Sequence, residues 1–199
     1  MSHYYTNDQQ LNHEIQEIRF SMNQHEILLD TDRGVFSRNK LDFGSKVLLA
    51  HIDFSKPYKH IIDMGCGYGP MGIFAAKQCP NAFVLMADVN ERAVDLASRN
   101  IIKNHVENAT AITSFLFENI KQKADLIMSN PPIRAGKKTV FKLYEQSYDH
   151  LNKNGVFYAV IQKKQGAPSS VKKLEELFGN CEIIVKEKGY WVLFAKKNI

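Results

Sequence analysis

No stretch of this chain approaches the run of about 18 apolar residues that a membrane-spanning helix needs, and the opening MSHYYTNDQQLNHE holds no apolar leader core. A soluble, cytoplasmic protein without a membrane partner is expected. Cysteine is scarce too. Cys66, Cys79 and Cys181 stand far apart and form no C-x-x-C pair, which speaks against a zinc site or a disulfide framework and suits a reducing compartment, so no metal is expected. Internal repeats, low-complexity tracts and linkers are missing as well, and the 199 residues are read as one domain.

What is present is a hydrophobic share of 44%, enough for a full core, arranged in alternation. Residues 14–31 read as two apolar-alternating runs around Asn23-Gln24, hence a hairpin. Residues 33–45 read as a loop, and Ser45 is the expected N-cap of a helix through Ile52. From His60 onward short apolar runs (HIIDM, FVLMADV, ATAITS, ADLIMSN, GVFYAVIQ) alternate with amphipathic segments. That pattern predicts parallel strands with helical crossovers. The last two runs, CEIIVKEK and YWVLFAKK, are separated by Gly189 with no room for a helix and should pair antiparallel.

The net charge is +5, with lysine pairs at 137–138, 163–164, 172–173 and 196–197. Such pairs suit a polyanionic partner, although solvated helix faces carry them too.

The first motif is Ile61-Ile-Asp-Met-Gly-Cys-Gly-Tyr-Gly69, between a buried strand and a helix. Glycines there allow positive φ and let a ligand touch the backbone. Gly67 to Gly72 satisfies G-x-G-x-x-G, but Asp63 and Gly65 come first and Pro70 enters the helix start, unlike a dinucleotide turn. A carboxylate at Asp63 would repel a pyrophosphate and suit a cationic ligand; S-adenosylmethionine carries an ammonium and a sulfonium and no phosphate. Asp88 ends the next strand about twenty residues on, where an acid commonly accepts from ribose hydroxyls; an acid near a helix start is the plainer alternative.

The second motif is Ser129-Asn-Pro-Pro-Ile133 at the end of the fourth strand from His60. Consecutive prolines stiffen the backbone of Asn130 and Pro131. An amine on a purine ring is a poor nucleophile because its lone pair is delocalised. If the Asn130 side-chain oxygen and the Pro131 carbonyl each accept one N–H, the lone pair is aimed at a methyl donor by positioning and electrostatics alone. A proline-stiffened turn with Asn130 as a cap is the alternative.

The strings D-M-G-C-G-Y-G, A-D-V-N and S-N-P-P-I resemble motifs of class I S-adenosylmethionine-dependent methyltransferases that modify amino groups. HYYT, GVFSRNKLDFGSKVLL and the tail from LNKNGVFYAVIQ to YWVLFAKK are similar to RsmC-type ribosomal RNA guanine-N2 methyltransferases. The resemblance implies a Rossmann-like α/β fold whose seven-stranded, mostly parallel sheet has its last strand antiparallel. It implies residues 1–44 as a hairpin with a covering segment, residues 45–199 as the cofactor-binding core, and ribosomal RNA or the small subunit as partner.

For the cofactor it implies Asp63, Gly65, Cys66, Gly67 and Gly69 at the methionine part, Asp88 and Val89 at the ribose, and Phe36 and Ser37 over the site. It also implies that Asn130 and Pro131 hold the target amine and that Pro132, Ile133, Arg134 and Lys137 line the substrate side. Two positions depart from the pattern. Ile133 replaces a usual base-stacking aromatic, leaving an apolar wall with Arg134 able to stack, and Ser114 or a backbone carbonyl stands where an acid commonly contacts the adenine amine. Methylation of a protein glutamine, a small-molecule substrate and an inactive cofactor-binding module stay open beside the RNA reading.

Overall fold

A computed structural model describes residues 14–35 and 37–198. The hairpin is β1 (Gln16–Met22) and β2 (His25–Thr31), paired antiparallel with Ile18 opposite Leu29 and Phe20 opposite Ile27. Its turn residues Asn23 and Gln24 both take positive φ, as a two-residue hairpin requires.

After the hairpin come α1 (Phe43–His51), β3 (His60–Met64), α2 (Pro70–Gln78), β4 (Phe83–Asp88), α3 (Glu91–Lys103), β5 (Ala109–Thr113) and β6 (Ala124–Ser129). Then follow α4 (Lys137–His150), β7 (Leu151–Gln162), α5 (Ala167–Phe178), β8 (Glu182–Glu187) and β9 (Tyr190–Lys196). The seven-stranded sheet runs β5-β4-β3-β6-β7-β9-β8, and only β9 opposes the rest. This is the Rossmann-like architecture that the resemblance implies. The turn between β8 and β9 places Lys188 and Gly189 at φ 47° and 83°.

The central strands are buried on both faces, which explains their unbroken apolar runs. Ile61, Val84, Met86, Leu126 and Met128 join a core with α1, α2, α3 and the hairpin. Ile62, Leu85, Ile127 and Phe157 join a second core with α4 and α5.

One boundary needs correction. Asp42, rather than Ser45, caps α1: its carboxylate accepts from the Ser45 N–H at 3.1 Å, and Phe43 and Gly44 already belong to the first turn. Among the described residues no helix is long and apolar enough to cross a membrane, and no group of three or more His, Cys, Asp or Glu could hold a metal ion.

Candidate functional site

Strand order reverses between β3 and β6, the place where open α/β sheets bind ligands. Both sequence motifs end there. Met64 pairs with Ser129, and the Ser129 hydroxyl donates to the Met64 carbonyl at 2.7 Å, so the glycine turn and the Asn-Pro-Pro turn leave the sheet side by side.

Gly65, Gly67 and Gly69 take φ of 76°, 56° and 96°. The turn is tied to β4: the Gly65 and Cys66 N–H groups donate to the Ala87 carbonyl at 2.8 and 3.0 Å, and the Gly67 N–H to Asp88 Oδ2 at 2.9 Å. Asp88 Oδ1 accepts from the Asn90 N–H at 2.9 Å. A Cβ built on Gly65 would meet only the Asn130 carbonyl, at 4.0 Å, so open space lies over the turn where a ligand would rest. Val89 is partly exposed beside it, and the Cys66 thiol is buried and pushed well up by that burial, then by Asp88 and Asp63.

Asp63 is fully buried beneath the turn, and neither carboxyl oxygen has a hydrogen-bond partner among the described residues. Burial pushes its carboxyl up to about 8; the Asp88 charge adds to this, and the nearby Gly72 amide opposes it without forming a proper hydrogen bond. A buried carboxyl in this state favours a cation placed above it. Asp63 therefore lies under the turn rather than lining the open space, and a cation placed above it would favour its ionised form.

Asn130 is partly exposed, and its Nδ2 donates to Asp42 Oδ1 at 3.2 Å and Ser45 Oγ at 3.1 Å. A carboxylate only accepts, so the nitrogen must face Asp42 and the carboxamide oxygen is turned away from α1. The Pro131 carbonyl already accepts the Ile133 N–H at 2.8 Å, which leaves its second lone pair for a ligand. Asp42 and Ser45 were not among the site residues expected from sequence, where Ser45 figured only as a helix cap. The signal was the acid three residues before Ser45, a cap pattern hidden by the loop-like Phe-Gly that follows it.

Other expected residues are placed as follows. The Ser114 hydroxyl donates to the Leu116 carbonyl at 2.7 Å and accepts from the Asn119 N–H at 3.1 Å, which ties it into the turn after β5. Ser37 faces the glycine turn: its carbonyl accepts from the buried Tyr68 hydroxyl at 3.1 Å. Phe36 and the HYYT string lie outside the described residues. Pro132 precedes a 3-10 turn of Ile133–Ala135; Ile133 packs against the α4–α5 core, and Arg134 is exposed. Lys137 is exposed and sets its ammonium 5.0 Å from the Phe141 ring centre. Lys163 and Lys164 follow β7 on the same sheet edge as the site. Lys197 belongs to the opposite edge, where its ammonium donates to the Tyr148 and Leu151 carbonyls at 2.8 and 3.2 Å.

Residues 26–194 match the family model described as the methyltransferase small domain. The YbxB protein of Bacillus subtilis (strain 168) is 41% identical over 197 residues and covers 98% of each chain. A protein of Hamiltonella defensa named ribosomal RNA small subunit methyltransferase C is 32% identical over 174 residues, which are 85% of this chain and 50% of that one. Against that relative and its namesakes from Haemophilus, the chain spans about half their length. Among solved structures, a Thermus thermophilus 16S rRNA N2 methyltransferase, RsmC, in complex with AdoMet and guanosine, aligns with a TM-score of 0.83 at 24% identity. That alignment covers 92% of this chain and 50% of that one.

Proposed function

The chain belongs to the methyltransferase small domain family, within the class I S-adenosylmethionine-dependent methyltransferases. From that premise we propose that it methylates an exocyclic amine, N2 of a guanine in small-subunit ribosomal RNA, in the cytoplasm. The observation that supports this most is the direction of the Asn130 carboxamide, whose nitrogen is held by Asp42 and Ser45 so that its oxygen is turned away from α1, on a residue whose backbone borders Gly65.

When bound, S-adenosylmethionine supplies an electrophilic methyl on a sulfonium. The backbone at Gly65, Gly67 and Gly69 would hold its methionine part, with Cys66 alongside and Asp63 beneath. Asp88 and Val89 would face the ribose, and Phe36 and Ser37 would cover the site. Asn130 Oδ1 then accepts one N–H of the target amine and the Pro131 carbonyl the other, which draws the nitrogen toward a tetrahedral shape. As the nitrogen gains its methyl it becomes acidic, and these two oxygens hold its protons until water removes one. No side-chain base is needed.

The RNA target draws support from the names of the ribosomal RNA methyltransferase relatives and from the exposed lysines along the site's edge. The test is transfer of tritiated methyl to ribosomal RNA, assembled small subunits and total protein. Label in RNA is expected, and Asn130→Ala should lower the rate roughly 100-fold or more with little change in cofactor affinity. Label in protein alone would end the RNA reading, and an unchanged Asn130→Ala rate would end the amine clasp.

A further inference from the structure

A base presented to Asn130 has left its stacking neighbours and needs a flat apolar face in their place. Ile133 does not give that face on Asn130's side of the sheet. The tight turn at Pro131 leads it to the α4–α5 core, whereas the Asn130 amide is held from the α1 side. The α1 side is aromatic. Phe43 directly follows Asp42, and its ring centre lies 5.6 Å from that of Tyr190, the planes tilted by 60°.

Both rings are only partly buried. Tyr190 opens β9, and its hydroxyl accepts from Gln162 Nε2 at 2.5 Å at the end of β7. Its ring lies against Gly44, where a Cβ would stand 2.8 Å from Tyr190 Cε1 and 3.1 Å from Asp42 Oδ1. The tyrosine ring and the carboxylate that orients Asn130 therefore both border Gly44 where a side chain would begin. Lys188, in the β8–β9 turn, places its ammonium 4.8 Å from the Phe43 ring centre.

We propose that Phe43 and Tyr190 form the face against which the target nucleobase lies, with Lys188 meeting the phosphate of that nucleotide; this rests on the RNA reading above. The ammonium that covers the Phe43 ring has only to swing to a phosphate oxygen when a base takes its place. A base, unlike a glutamine side chain, has the ring face that an aromatic pair rewards.

The test compares Phe43→Leu, which keeps apolar volume without a ring, with Phe43→Trp, which keeps a ring. Rates are measured on ribosomal RNA, with thermal midpoint and S-adenosylmethionine affinity recorded for each variant. Phe43→Leu should raise KM for RNA roughly tenfold, with kcat and cofactor affinity nearly unchanged, and Phe43→Trp should stay within about twofold of wild type. Tyr190→Leu is the second variant should either fail to fold, with the same rise in KM expected. Wild-type labelling of RNA together with an unchanged KM in Phe43→Leu overturns this proposal and leaves the function standing. Wild-type labelling of protein alone overturns both.

Discussion

Asp42 Oδ1 serves two partners, the Ser45 N–H that starts α1 and the Asn130 amide that aims the proposed catalytic oxygen. Asp42→Ala should cost about 1 kcal/mol of stability through the lost cap. It should also slow methyl transfer roughly ten- to hundredfold as the carboxamide rotates. Asp42→Asn keeps an accepting oxygen for both and should recover most of each loss; thermal denaturation and single-turnover rates check the pair. Asp63 yields a pH prediction. The unfolded side chain titrates near 3.8 and the folded one at about 8, so between those values the unfolded chain binds fewer protons. Its contribution to stability therefore falls as pH rises from about 4 to about 8 and levels off above. Asp63→Asn should remove that slope in denaturation curves. A cationic cofactor over the turn favours the carboxylate, so binding should release a proton and tighten toward pH 8, as calorimetry in buffers of different ionisation heat would register.

At the level of elements, the hairpin is fastened to α3 by side chains that imitate a strand. Asn100 Oδ1 accepts from the Asp30 N–H at 2.8 Å while its Nδ2 donates to the Asp30 carbonyl at 2.9 Å. Asn104 does the same for Leu28, at 3.1 and 2.6 Å. The match is geometric: four helix residues rise about 6 Å, and two strand residues about 6.8 Å. Asn100 Nδ2 also donates to the Tyr68 carbonyl at 2.9 Å, so the same ladder grips the glycine turn. Lys103 adds ion pairs to Asp30 and to Glu17, the latter at 2.8 Å. Asn104→Ala strands both polar groups of Leu28 and should cost about 1–3 kcal/mol. Hydrogen exchange at the Leu28 amide should accelerate more than at Ile61 in the central sheet; equal acceleration would mean that the hairpin and the sheet open as one unit.

Taken as a whole, the molecule gathers its candidate site on the C-terminal edge of the parallel strands, with Lys137, Lys138, Lys163 and Lys164 exposed there and Lys197 committed at the other edge. The KM for RNA should therefore rise steeply between about 50 and 200 mM salt, while cofactor affinity stays nearly flat. A salt-independent KM would point to a small substrate.

Much of this edge was legible beforehand. Strand ends announced themselves by apolar runs that stop at Asp63-Met-Gly, Asp88 and Ser129-Asn-Pro-Pro, because a strand buried on both faces has to be apolar until it reaches the ligand edge. The Gly189 turn and the opposed β9 were legible for the same local reason. Asp42 was hidden because its partner Asn130 is 88 residues away, and the Asn100 ladder because Asp30 is 70 away. By itself the sequence determined the order of elements, the glycine turn and the Asn-Pro-Pro turn, since each is written in neighbours within one strand or one helical turn. Only the tertiary structure decided which way Asn130 faces, which core takes Ile133 and which rings stand beside the site. Those outcomes depend on contacts between distant segments, and no local period records them.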